Sequence, residues 1–244
     1  MTNKYIYFVA NWKMFGGLKS LNSVHKVDTF LKKFKKNNLT KIIYCPPSTL
    51  IRPLSKKLKN SQIKVGAQNC HKSENNGPHT GSVNSKMLKD VGANYVILGH
   101  SENRSEGEND KLINAKIKSA LKSGLKVIFC IGETLYEKRK KITKKILKKQ
   151  IQLGLRNIKD KNNIIIAYEP VWSIGSGLIP KSKDLFETIN FLKKIKKNKV
   201  LYGGSVNPKN IDELKLINNI DGFLIGGASQ DSKKFIDIIK KSYN

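Results

Sequence analysis

The chain has 244 residues with 47 Lys or Arg against 18 Asp or Glu, a formal charge of +29, and 39% hydrophobic and 8% aromatic residues. That apolar content can furnish a packed core and excludes a disordered chain, and no apolar run approaches the roughly 20 residues that span a bilayer. The three cysteines, Cys45, Cys70 and Cys130, make neither a disulfide framework nor a zinc pattern, so a reducing, cytoplasmic setting is expected.

The charge is almost entirely lysine: 43 Lys stand against 4 Arg, beside 28 Ile and 24 Asn. Specific nucleic-acid surfaces lean on Arg for bidentate and stacking contacts. The lysines are spread over helix-like segments, so they read as a solvated outer layer of compositional origin, and no specific nucleic-acid partner is expected. The opening residues run straight into chemistry-bearing sequence and do not read as a signal peptide.

In chain order, strand-like runs are expected at Tyr5–Ala10, Lys41–Cys45, Ile63–Ala67, Tyr95–Leu98, Lys126–Ile131, Asn163–Tyr168, Val200–Gly203 and Gly222–Ile225. They are nearly continuous apolar stretches, as parallel strands buried on both faces require. Between and after them lie helical patterns over Leu18–Lys36, Ser48–Lys59, Asn84–Val91, Asn109–Ser123, Thr134–Ile158, Ser182–Lys197, Pro208–Ile217 and Asp231–Lys241. Asn109 and Asp231 suit helix N-caps, and Asn207 with Pro208 suits a cap followed by a first helical residue. Eight alternations without a linker favour a closed (β/α)₈ barrel forming one domain over residues 1–244. The longest polar interruption, His71–Thr80, reads as a projecting loop.

Barrels of this kind build their sites at the C-terminal strand ends, and polar residues that packing does not explain do follow the strand runs. Asn11 and Lys13 lie in Val-Ala-Asn-Trp-Lys-Met after the first. Gly99-His-Ser-Glu-Asn-Arg104 follows the fourth, and Tyr168-Glu-Pro-Val-Trp-Ser-Ile-Gly-Ser-Gly177 ends the sixth. Tyr202-Gly-Gly-Ser-Val206 ends the seventh, and Ile225-Gly-Gly-Ala-Ser229 the eighth. Gly175-Ser-Gly177 is no dinucleotide fingerprint, because the third glycine and the ribose acid are missing.

The Asn-Trp-Lys, Gly-His-Ser-Glu and Tyr-Glu-Pro-Val-Trp segments resemble those of the triosephosphate isomerase family, and the resemblance runs the length of the chain in order. It implies an isomerase of glycolysis, gluconeogenesis and the pentose phosphate shunt that interconverts dihydroxyacetone phosphate and D-glyceraldehyde 3-phosphate through an enediolate, with no cofactor or metal. It puts Glu169 in the position of the base, His100 in that of a neutral electrophile and proton shuttle, and Lys13, Asn11 and the helper acid Glu102 in supporting catalytic positions. Substrate phosphate would be gripped by Gly175, Ser205, Gly226 and Gly227, with Lys13 and Asn11 also touching substrate. The segment Pro170, Val171, Trp172, Ser173, Ile174, Gly175, Ser176, Gly177 and Leu178 matches the closing lid, which Tyr202 and Ser205 hold shut.

The sequence departs from the family pattern at several points. Ser173, Ser176 and Leu178 stand where Ala, Thr and Lys are usual, which bears on the second hinge of the lid. Asn103 replaces an Arg, and Ser82 stands where a Glu is usual. The loop after the third strand, Gln68 to Ser82 with Asn69 and Thr80, resembles one that inserts into a partner subunit, implying a homodimer. Cys130 matches a fifth-strand cysteine that packs beside the site and is not a nucleophile.

Overall fold

The computed structural model describes residues 5–243, so residues 1–4, read above as no targeting segment, and Asn244 lie outside it. Eight parallel strands close on themselves in sequence order: β1 (Ile6–Asn11), β2 (Thr40–Cys45), β3 (Lys64–Ala67), β4 (Tyr95–Leu98), β5 (Lys126–Ile131), β6 (Ile164–Tyr168), β7 (Lys199–Tyr202) and β8 (Gly222–Ile225). Closure is made by β1 pairing with β8, Tyr7 opposite Gly222 through Ala10 opposite Ile225. At this seam a Cβ on Gly222 would lie 2.1 Å from the Tyr7 carbonyl oxygen, and its φ of +152° disfavours any side chain.

The apolar runs hide an alternation that the closed barrel exposes. Val9, Ile43, Cys45, Ile97, Ile128, Cys130, Ile165, Ala167, Leu201 and Leu224 fill the interior, while their strand neighbours pack outward against the helices. Continued by one more step of two residues, the interior parity of β1, β6 and β8 falls on Asn11, Glu169 and Gly226. The strand period itself therefore presents these residues at the barrel mouth.

The outer layer comprises α1 (Leu21–Lys33), α2 (Ser48–Lys57), α3 (Ser85–Asp90), α4 (Ser101–Ser105), α5 (Asp110–Lys122), α6 (Leu135–Arg139), α7 (Thr143–Gly154), α8 (Ser182–Ile195), α9 (Ile211–Leu214) and α10 (Ser232–Lys241). Among the described residues Lys116 is the one buried lysine, so the cationic surplus is a solvated shell. Asn109 caps α5 by accepting from the Leu112 N–H, and Asp231 caps α10 by accepting from Lys233 and Lys234.

Two local expectations are corrected. The helix expected over Thr134–Ile158 divides into α6 and α7 around Lys141, whose φ is +57°. Lys141 N–H donates to Lys138 O and Ile142 N–H to Glu137 O, the paired bonds of a Schellman stop. The same stop after α5 uses Gly124, but here no glycine announced it. Asn207 and Pro208 do not open a helix either. They form a turn in which Asn207 accepts from the Lys209 N–H, and α9 begins three residues later.

Candidate active site

Glu169 is the first residue beyond β6, yet its N–H still donates to Ile131 O at 2.8 Å, so it is held by the sheet as rigidly as a strand residue. The residue is 2% exposed. Glycines make the room: a Cβ on Gly203 would sit 2.8 Å from Glu169 Cγ, and one on Gly132 would sit 1.8 Å from the Glu169 carbonyl oxygen. Burial holds the Glu169 carboxyl above the ordinary carboxylate range, against opposing pulls from His100, a Cys130 thiol bond and Lys13. Full burial pushes the Cys130 thiol far above its ordinary pKa, which disfavours the thiolate a nucleophile needs.

His100 follows β4 and caps α4, its Nδ1 accepting the Glu102 N–H at 3.3 Å. An acceptor at Nδ1 leaves the proton of the neutral ring on Nε2, and Nε2 lies 3.3 Å from Glu169 Oε1. The Glu102 carboxylate, 3.5 Å from Nδ1, is held by Lys13 at 2.5 Å instead. Beneath His100, Arg104 bonds the carbonyls of Gly99 and Cys130 and pairs with Asp110 at 2.7 Å, tying the ends of β4 and β5 together.

Lys13 adopts φ +53°, a left-handed conformation rare outside glycine. Three bonds impose it: its N–H donates to Asn11 Oδ1 at 3.0 Å, its carbonyl accepts from Gln68 Nε2 at 2.8 Å, and its ammonium meets Glu102. The strain is local to the site, where such conformations concentrate. Trp12, between Asn11 and Lys13, donates from Nε1 to Ser229 O at 3.2 Å and anchors this loop to the turn after β8.

A cavity of about 220 Å³ opens at the mouth, and Asn11, Lys13, His100, Glu169, Gly175, Ser205, Gly226 and Gly227 all line it. The expected lid contributes Ile174 and Gly175. Gly227 begins a short 3₁₀ helix, Gly227–Gln230, directly after the β8 end. Glu102 lies outside the lining and meets it through Lys13 and His100. The loop from Gln68 also supplies a neighbouring hollow of about 350 Å³, lined by Ser48, Cys70, His71, Ser82 and Lys116 among others. Lys116 there is paired with Glu108, and both are bonded to Asn69.

One site residue escaped the sequence reading. Glu133, 1% exposed, accepts from Tyr168 OH at 3.2 Å and from Trp172 Nε1 at 3.0 Å, and its carbonyl accepts the Val171 N–H. Burial raises its pKa, with the Trp172 bond opposing. Lys138 Nζ lies 3.3 Å from the centre of the Trp172 ring. Glu133 thus holds Trp172, which does not line the cavity, at the start of the segment expected to be the lid. The rule that polar residues just after strands matter would have found it, since it stands two residues beyond β5.

The family model of triosephosphate isomerase matches residues 6–242. A triosephosphate isomerase of Thermodesulfovibrio yellowstonii is 42% identical over 96% of this chain and 98% of its own length, and one of Aquifex aeolicus is 39% identical over 94% and 96%. The crystal structure of triosephosphate isomerase from Bartonella henselae superposes with a TM-score of 0.89 at 34% identity, over 98% of this chain and 99% of that one.

Proposed function

Since the chain belongs to the triosephosphate isomerase family, we propose that Glu169, His100, Lys13 and Asn11 are the groups with which it carries out that family's reaction. The chain is an isomerase of glycolysis that interconverts dihydroxyacetone phosphate and D-glyceraldehyde 3-phosphate. The reading of its site rests on one observation above all: a buried, desolvated carboxylate lies 3.3 Å from Nε2 of a backbone-fixed histidine, at the mouth of a cavity shared with a lysine.

Glu169 takes a proton from the carbon beside the substrate carbonyl and returns it to the neighbouring carbon. Desolvation raises its basicity, which suits a base working near neutral pH. As the enediolate forms, His100 Nε2–H donates to its oxygens and moves a proton between them, and the Asn11 amide donates a second bond. Lys13, placed by its constrained backbone, supplies fixed positive charge with no reorganisation. Glu102 holds the Lys13 ammonium in position. The phosphate lies against Gly175, Ser205, Gly226 and Gly227, where N–H groups and absent side chains suit a dianion. Residues 170–178 close over the enediolate and exclude water.

A coupled triose phosphate assay tests this reading. Shortening the base by Glu169→Asp withdraws the carboxylate by about 1 Å, and turnover should fall on the order of 100-fold. Full activity in that variant would remove Glu169 from the role.

The same proposal includes one domain over residues 1–244, a cytoplasmic setting and a homodimer. Among the described residues no helix is long and apolar enough to cross a membrane. The dimer reading is supported by Met14, 99% exposed, and Phe15 standing beside the Gln68–Lys13 bond and near the 350 Å³ hollow, which a partner's loop would fill. Sedimentation should give twice the chain mass at micromolar concentration, and Met14→Glu should shift it to monomer. A monomeric wild type would refute the assembly.

A further inference from the structure

Ser173 is fully buried within the proposed lid segment. Its Oγ is 2.5 Å from Leu178 O, 3.1 Å from Tyr202 OH and 3.3 Å from the Ser205 backbone N–H. A hydroxyl has one proton and two lone pairs. With the proton given to Leu178 O and one lone pair taken by Ser205 N–H, the remaining lone pair must accept from Tyr202. Burial pushes the Tyr202 phenol up to about 12, so it keeps the proton it donates. Each capacity of the hydroxyl is used once. Gly204 makes the space, since a Cβ there would lie 2.6 Å from Ser173 Oγ and 2.3 Å from Tyr202 OH. Within the lid, Ser176 Oγ also donates to Ser173 O and accepts from Leu178 N–H.

We infer that the Ser173 hydroxyl is a positioning residue of the reaction, a clasp that joins the start of the lid, its end at Leu178 and the β7 loop carrying Ser205. The inference rests on the proposed phosphate contact of Ser205. Ser173 touches no substrate. By orienting the Ser205 N–H and fixing the span of the lid, it sets the shape of the phosphate grip and the seal over the enediolate. Loss of the seal lets the enediolate electrons expel phosphate from the adjacent carbon, breaking that C–O bond and leaving an enol that tautomerises to methylglyoxal.

The test compares wild type, Ser173→Ala, Ser173→Cys, Tyr202→Phe and the Ser173→Ala/Tyr202→Phe pair. For Ser173→Ala, kcat/KM should fall on the order of tenfold, inorganic phosphate should bind correspondingly more weakly, and the methylglyoxal share of product should rise. Ser173→Cys, a weaker donor of similar size, should fall between. Tyr202→Phe should cost clearly less in the Ser173→Ala background than alone. A lowered melting temperature with phosphate affinity and methylglyoxal share unchanged would reduce Ser173 to a packing role and overturn the inference. Additive effects of the two substitutions would overturn it as well. Should Ser173→Ala not fold, Ser173→Cys and Tyr202→Phe carry the same readouts. Phosphate binding is measured without turnover, so an inactive wild type would defeat the catalytic reading while the clasp is still judged.

Discussion

Replacing Glu169 by Gln should lower kcat by about 10² to 10⁴, the usual contribution of a positioned general base, and at the same time raise the melting temperature at neutral pH. The second effect follows from burial. The carboxyl is raised above its ordinary pKa chiefly by desolvation, and His100, Cys130 and Lys13 offset only part of it. A raised carboxyl pKa means that the folded chain binds this proton more tightly than the unfolded one. Wild-type stability therefore falls as pH rises from the unfolded value through the folded one, and the deficit persists above it. Gln carries no such charge. Its stabilising effect should be full once pH exceeds the raised folded value and fade to nothing as pH falls below the unfolded carboxylate pKa. Melting curves of both proteins across that range check the prediction; a Gln variant less stable than wild type at neutral pH would mean that the carboxylate is net stabilised where it sits.

Lys13→Met should lower kcat/KM by about 10² to 10³, the scale seen when a preorganised charge or donor is removed from a site. Methionine preserves length and apolar stem, and the left-handed backbone at this position would remain imposed by Asn11 and Gln68. The loss would thus report charge rather than shape. A second signature separates this from a general disturbance. Lys13 is one of the groups that pull the Glu169 pKa down, so its removal should move the acid limb of the kcat/KM profile to higher pH. An unmoved limb would show that the two charges do not sense each other.

Much of this site was open to reading before any fold was known, because its chemistry is local in sequence. Asn11 and Lys13 flank one tryptophan, and Glu169 is followed by Pro170-Val-Trp172. The caps Asn109 and Asp231 precede their helices in the ordinary way. Each of these signals is carried by a few consecutive residues, and such short-range signals survive without coordinates. The break at Lys141 did not announce itself, because a non-glycine residue took the left-handed position and only the returning Glu137 and Lys138 carbonyls justify it. Asn207 and Pro208 misled for a related reason: the pair fits a helix start and a turn equally well, and the bond to Lys209 selects the turn.

By itself the sequence determined the eight alternations, the strand-end residues and the solvated origin of the lysine charge, since period, propensity and composition are properties of the chain alone. Tertiary structure decided what depends on closure. It chose which face of each doubly buried strand became the interior, and so aimed Asn11 and Glu169 into one cavity. It brought Glu133 under Trp172, 39 residues away, and Ser173 against Tyr202, 29 residues away. Such pairs have no local signature, because a hydrogen bond between distant residues exists only once the intervening β/α units have packed and excluded the water that would otherwise satisfy both partners.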